Sequence, residues 1–448
     1  MRNKARKIGV SNKLETLESR QLMSASLVPT VTQTSVNGAL DLNVVITGGE
    51  DVTVTQSSKG VTIGCYAPGW GNTFTMQAPQ TYAGSFAEIL VSAVSGNNLI
   101  TISSSVTTNT VVQGGSGNDT IQDFGVGHDT LYAGTGHDIL QAGTGADTLI
   151  AVGTATDTLM GGSGMDSFWD TSADTLTRVT AAETSGGTVH TLASAITTST
   201  LPLSEPTIGL SGTSYKSFAA DPLFAATGPS ANDIVQGSLG DCYFLATLSA
   251  FAQTAPQSIQ QDVVQLSDGT FLARFFSGGK AVYEHVDATL PVNSSGKLVY
   301  AQLGTGNSLW VAIEEKAFAV FRNGADSYAN IASGWMSEVY TDLGVVNYNS
   351  YFSASASAMM SLIQSEVQSG DAVTVGILTP SAGTPLIGDH AYSVVGVVTN
   401  SSGVITGLEL RNPWGTVGVS GYAANGGYVT VTPAQAFAAI EGVTAGVA

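Results

Sequence analysis

Apolar and polar residues alternate through residues 27–110, in stretches such as LDLNVVITGG, DVTVTQ and NLITISSS separated by turn-forming residues. A period of two predicts short β-strands with one buried face. From Gly114 the pattern changes. Asp119, Asp129, Asp138, Asp147, Asp157 and Asp166 follow one another at intervals of nine or ten. Two positions after each stands an apolar residue: Ile121, Leu131, Leu140, Leu149, Leu159 and Phe168. Glycine stands two positions before in all but one case (Gly117, Gly127, Gly136, Gly145, Gly164), and Ala155 fills the exception. Residues 171–215 are rich in Ser, Thr, Ala and Pro, which predicts a linker. The stretch QGSLGDCYFLATLSAFA (236–252) then repeats Phe244, Leu245, Leu248, Phe251 and Ala252 at helical spacing. A helix therefore opens at Cys242, with Gly240 and Asp241 in the turn before it.

Composition narrows the classes. A chain of 448 residues, 43% hydrophobic, has room for several domains. Its formal net charge of −19 repels nucleic acid and anionic lipid and favours divalent cations as partners. No run of eighteen apolar residues occurs, so no helical membrane span is expected. The basic segment at residues 1–26 lacks the apolar centre of an ordinary signal peptide. Its LETLESRQLMSA tract resembles the short leader of many large surface and secreted proteins of certain bacteria. Only two cysteines are present, Cys65 and Cys242. They lie far apart in sequence and are not expected to pair.

The Gly and Asp positions of 114–170 suit a cation. Glycines let a turn curl tightly with carbonyls inward, and a carboxylate completes an oxygen shell. The six Asp are the candidate ligands for a divalent cation, whereas His128 and His137 are expected to face solvent. The pattern resembles the RTX nonapeptide array, which implies a parallel β-roll that binds calcium.

A cysteine at a helix N-terminus is placed to lose its proton more easily, although a lone cysteine in a core helix is common too. Its base would be His285, in VYEHVDATLPVN, or His390, in IGDHAYSVVGVV. Asn412 in LRNPWG can orient an imidazole, and Trp414 can shield that bond from water. The Gln236 side-chain amide, with the Cys242 backbone N–H, can form an oxyanion hole. His190 has no expected role.

GPSANDIVQGSLGDCYFLATLSAFA, HVDATLPVN, LWVAIEEKAFAVF, DHAYSVVGV and LRNPWG, in this order, resemble the calpain family of papain-like cysteine proteases over about residues 217–440. Together with the RTX resemblance and the alternation before it, this implies a multidomain chain. Its C-terminal half would be an α+β protease core of two subdomains, a mainly helical one with Cys242 and a mainly β one with His390 and Asn412. The N-terminal half would be all-β with a parallel β-roll. The implied roles are Cys242 as nucleophile, His390 as base and acid, Asn412 as orienter and Gln236 as oxyanion donor, while His285 becomes structural. Tyr243 replaces the family's Trp, and the W-x-G-x-W-S pattern after NPWG is missing.

The expected organisation is a basic leader at 1–26, a β-rich region at 27–110, a calcium-binding roll at 111–170, a linker at 171–215 and a protease domain at 216–448. The expected activity is hydrolysis of peptide bonds in proteins, with protein or peptide substrates and calcium as partners. The implied location is the exterior or surface of a bacterial cell. The alternative is a calcium-dependent surface or adhesion protein whose protease domain is inactive or processes only itself.

Overall fold

The structure, a computed structural model, describes residues 28–36, 39–66, 75–324, 326–380, 383–422 and 425–447. The leader expected at 1–26 lies outside them. Two compact units divide after Thr200.

The first unit is built from two eight-stranded sheets. One begins with Thr30–Val36 and Ala39–Ile46 and continues through Glu88–Ala93, Thr110–Gln113, Thr130–Tyr132, Thr148–Ala151, Ser167–Thr171 and Val189–Leu192. The other runs from Thr75–Tyr82, Gly60–Tyr66 and Asp51–Ser57 through Leu99–Ile102, Thr120–Asp123, Ile139–Gln141 and Thr158–Met160 to Thr175–Thr177. Past the antiparallel N-terminal strands, each coil of chain gives one strand to each sheet. Thr130 thus pairs in parallel with Val111 on one side and Thr148 on the other. Two nonapeptides make one coil, which is why an interval near nine puts every second repeat on the same edge. The apolar residue of each repeat points inward: Ile121, Leu131, Leu140, Leu149, Leu159 and Phe168 are all fully buried in one core.

The expected boundaries need correction. Strands from 27–110 stack in the same two sheets as the repeats, so the β-rich region and the roll are one solenoid. Its last coil lies where a linker was expected. Thr175–Thr177 and Val189–Leu192 extend the sheets, and helix α1 (Ala181–Ser185) sits between them behind a Thr180/Glu183 capping box. A solenoid strand needs only one inward apolar residue, here Leu176 or Val189, and Thr suits the rest, so the segment reads as linker by composition. The second unit begins before residue 216: Ser204 bridges Val286, Thr207 bridges Ser327, and Thr213–Ser217 pairs with Thr289–Asn293.

The second unit holds two hydrophobic cores, as the two-subdomain expectation requires. The first gathers helices α2 (Cys242–Thr254), α3 (Pro256–Asp262), α4 (Trp310–Phe321) and α5 (Met336–Asp342) around the small sheet Val263–Gln265, Phe271–Ser277 and Lys280–Val286. Phe244 stacks on Phe318 at 4.1 Å between ring centroids, joining α2 to α4. The second core lies on an antiparallel sheet in the order Tyr348–Tyr351, Ile440–Gly446, Ala372–Ile377, His390–Thr399, Ile405–Arg411 and Tyr428–Val431, with helices α6 (Ala356–Ser369) and α7 (Pro433–Ala439). Helix α2 is buried from Tyr243 through Ala252 because it serves both cores. Its Ser249 hydroxyl bonds that of Ser393, and Gln253 donates to Val394 and Val395 carbonyls. These bonds fix the helix that starts at Cys242 against the strand that starts at His390. Among the described residues no helix is long and apolar enough to cross a membrane.

Candidate active site

Helix α2 starts at Cys242 because the Asp241 carbonyl accepts the Phe244 and Leu245 N–H groups, at 2.9 and 3.1 Å. The thiol is half-buried, and neither cysteine is disulfide-bonded. Burial pushes the Cys242 thiol up, and the Asp241 charge adds to this. The amides of Ala391, Tyr243 and Cys242 itself pull it down. The helix N-terminus acts in the expected direction through two of these amides, but burial outweighs it. The uncharged thiol is therefore favoured.

His390 opens its strand just after Asp389, whose φ of +50° turns the chain sharply. Its Nε2 donates to Asn412 Oδ1 at 2.8 Å. The same oxygen accepts the Trp414 backbone N–H at 3.0 Å, which fixes the orientation of the carboxamide. The imidazole therefore carries its proton on Nε2 and leaves Nδ1 as the basic nitrogen. Burial lowers the His390 pKa below its ordinary 6.5, and the Asn412 bond opposes this. The Trp414 ring lies 4.8 Å from the imidazole. Asn412 is fully buried, so its bond to His390 is kept from water.

Cys242, His390, Trp414 and Gln236 line one cleft of about 480 Å³, together with residues 237–240, Tyr243, Asp389 and the loop Ala332, Ser333 and Gly334. The loop is braced from behind. The Arg322 guanidinium lies 5.2 Å from the Tyr243 ring centre and pairs with Glu338, whose carboxylate accepts the Trp335 N–H. Gln236 is tied to the NPWG segment through its backbone N–H, which donates to the Pro413 carbonyl at 2.8 Å. Its side chain differs from the expected oxyanion geometry. Nε2 donates to Leu239 O at 2.6 Å and Asp241 Oδ1 at 3.0 Å, so both amide hydrogens are engaged, while Oε1 has no partner.

His285 has the structural place expected of it, between the Leu201 carbonyl (3.1 Å) and the Thr270 hydroxyl (2.8 Å). His190 is buried against Trp169, with ring centroids 4.2 Å apart. His128 and His137 are exposed, and their Nδ1 atoms meet the chain of the next coil at Ala146 and Thr156.

The six repeat Asp of the solenoid form two ladders, one on each edge. On one, Asn98 N–H donates to Asp119 Oδ1 (2.7 Å), Asp119 N–H to Asp138 (2.6 Å), Asp138 N–H to Asp157 (2.8 Å) and Asp157 N–H to Asp174 (2.7 Å). On the other, the chain runs from Thr110 through Asp129, Asp147 and Asp166 to Glu183. Asn98, Asp174 and Glu183 were missed in the sequence because they lie outside the repeat. Their spacing from the nearest repeat Asp, near one coil, was the available signal. The second oxygens of Asp119, Asp123, Asp129 and Asp138 are buried and receive no N–H donor. Asp123 faces Asp129, and burial together with that neighbour pushes its carboxyl up to about 8. Asp138 is pushed up by burial to about 7. Rows of buried acceptor oxygens without donors suit a hard cation. Among the described residues no three acidic, His or Cys side chains converge on one point, so such an ion would be shared with backbone carbonyls.

A two-core α+β unit with a thiol on a helix and a His–Asn pair on the facing sheet has the papain-like architecture. Residues 210–426 match the calpain family of cysteine proteases, and residues 107–123 and 125–151 match the RTX calcium-binding nonapeptide repeat. The chain thus carries a calpain-family domain preceded by RTX repeats. Similar curated proteins include the human calpain-2 catalytic subunit, 30% identical over 234 residues, which are 48% of this chain and 32% of that one. The chicken (Gallus gallus) calpain-2 catalytic subunit is 33% identical over 216 residues, 44% and 30% of the two chains. The human calpain-1 catalytic subunit is 31% identical over 236 residues, 48% and 32%. The chain spans about a third of the length of these relatives.

Proposed function

We propose that the second unit is a cysteine endopeptidase acting on proteins, with Cys242 as nucleophile, His390 as base and acid and Asn412 as orienter. The observation that carries this reading is the buried His390–Asn412 bond beside the half-buried thiol in one cleft. The Cys242 proton passes to His390 Nδ1 as sulfur attacks the peptide carbonyl, because burial favours the neutral thiol and neutral imidazole before reaction. The C–N bond then breaks as the imidazolium returns the proton to the leaving amine. Water, deprotonated by His390, releases the acyl group from sulfur. The Cys242 backbone N–H faces the developing oxyanion, and Gln236 adds a second donor when its amide exchanges the Leu239 carbonyl for the oxyanion and keeps its bond to Asp241.

Calcium belongs to the solenoid on this reading. Asp119, Asp129, Asp138, Asp147, Asp157 and Asp166 hold it with carbonyls of the glycine turns, and the ion supplies the positive charge that the stacked carboxylates lack. An RTX array that orders in calcium suits a protein working outside the bacterial cell, where calcium is plentiful.

The test is alkylation by a cysteine-directed epoxide near neutral pH, read by peptide mass spectrometry, beside hydrolysis of casein. Cys242 is expected to react selectively over Cys65, and Cys242→Ala and His390→Ala to abolish hydrolysis. Equal, slow alkylation of both cysteines would refute the protease reading and leave the calcium-dependent surface protein.

A further inference from the structure

Asp241 and Glu315 meet directly behind the nucleophile. They come from different elements, the turn before α2 and the middle of α4, and both are within 1% of complete burial. Each carboxyl acts directly on the other, and Asp241 Oδ2 receives no N–H donor. Two carboxylates in contact and out of water cannot both be ionised, so one proton is held between them. The outer atoms of the pair are fixed. Both Glu315 oxygens accept the Ala301 N–H, at 3.1 and 3.0 Å. Asp241 Oδ1 accepts Gln236 Nε2 at 3.0 Å. A continuous chain of polar contacts thus runs from the α4 helix to the amide at the floor of the cleft.

We propose that the Asp241–Glu315 pair, sharing one proton, is the positioning element for the Gln236 amide, so that turnover depends on a protonation outside the Cys–His–Asn set. The inference rests on the cysteine-peptidase reading. While the pair holds its proton, Asp241 Oδ1 keeps a lone pair for Gln236, and the amide plane is set. Loss of that proton at alkaline pH puts two charges in contact, the carboxylates part, and Gln236 keeps only one of its two acceptors, the Leu239 carbonyl. The Tyr243, Tyr300 and Tyr328 phenols and the Cys242 thiol all feel the charge of the pair. Its neighbours on α4 lie in other fields: Glu314 feels the charges of Asp262 and Arg274, and Lys316 is paired with Asp287. Burial raises both carboxyls, Asp241 to about 7 and Glu315 well above the usual range, in keeping with a retained proton.

The test compares full-length Asp241→Asn, Asp241→Ala and Glu315→Gln with wild type on a fluorescent casein peptide across pH. Asn at 241 offers a carbonyl to Gln236 and an N–H to Glu315. Gln at 315 offers an N–H to Asp241. Both replace the shared proton by one that does not titrate. Asp241→Ala is expected to lower kcat about tenfold or more with KM within about twofold. Asp241→Asn and Glu315→Gln are expected to keep kcat near wild type and to move its alkaline limb up by about one pH unit or more. Unchanged kcat in Asp241→Ala, or a wild-type alkaline limb in both isosteric variants, overturns the inference. If Asp241→Ala does not fold, the two pH profiles decide alone. Iodoacetamide alkylation of Cys242 in each variant separates the two failures. An unactivated thiol in wild type refutes the peptidase reading itself, whereas an activated thiol with unshifted profiles refutes only the role of the pair.

Discussion

Glu314 sits on α4 with no exposure to solvent, and neither of its carboxyl oxygens has a hydrogen-bond partner. Arg274, the cation that reaches it, is already bonded to Asp262 at 2.9 Å. Burial, reinforced by the Asp262 charge, raises the Glu314 pKa well above its ordinary 4.5. Replacement by Leu, close in size, removes two donorless oxygens from the core. Unsatisfied buried polar groups cost about 1–3 kcal/mol, so Glu314→Leu is expected to stabilise the second unit by about 2 kcal/mol near pH 8. The sign with pH follows from linkage. A carboxyl raised in the folded state contributes its full stability below the unfolded pKa near 4.5 and loses it as pH rises through the folded value. The gain over wild type should therefore grow between pH 5 and pH 8, and Glu314→Gln, which cannot ionise, should share the flattened profile. The assay is urea unfolding at both pH values, followed by a hydrogen-exchange pulse at one fixed pH and mass analysis of the α4 peptide. With slopes of about 1–3 kcal/mol/M, the midpoint at pH 8 should rise by about 1 M. Equal gains at both pH values would refute the buried-acid account, and a loss at pH 8 would show that Glu314 has a partner in solution.

Three further outcomes follow. Gly164→Ala places a Cβ 1.6 Å from the Gly145 carbonyl at a φ of +138°, and should cost the solenoid about 2–4 kcal/mol, read as a lower thermal midpoint by circular dichroism. In EGTA the solenoid should lose stability as pH rises from 5 to 8.5. The raised carboxyls of Asp138 and Asp147 (about 7) and Asp123 (about 8) favour folding below the unfolded value of 3.8 and lose that advantage through their folded values. Calcium at 100 times its Kd should restore about 2.7 kcal/mol per site, and a midpoint indifferent to both pH and calcium would contradict this. Gly334→Ala sets a Cβ 2.6 Å from the Tyr243 ring and 2.9 Å from Arg322, and should slow casein hydrolysis about tenfold to a hundredfold with the fold retained.

The solenoid was legible because its coil length imposes the interval of the Asp and the inward apolar residue imposes the rest. The coil at 171–192 was not, since its few large apolar residues, Leu176, Val179, Val189 and Leu192, stand among Ser, Thr and Ala. In the second unit, local patterns located α2 and the strand of His390, and order along the chain suggested which cysteine, histidine and asparagine meet. The electrostatics were less accessible. The helix N-terminus predicted an acidic thiol, yet tertiary burial, which no local rule carries, outweighs it. Gln236 was read as a free donor because its acceptors, the Leu239 carbonyl and Asp241, depend on the shape of the turn. The contact of Asp241 with Glu315 joins two segments that show no common pattern.

The strand Ile440–Gly446 lies inside its sheet, between Tyr348–Tyr351 and Ala372–Ile377. The ribosome makes it after every residue of the cleft. Until it arrives, Ala372–Ile377 has one bare edge, and the strand of His390 hangs on a half-built sheet. A nascent chain therefore carries its thiol, imidazole and carboxamide without the frame that aligns them.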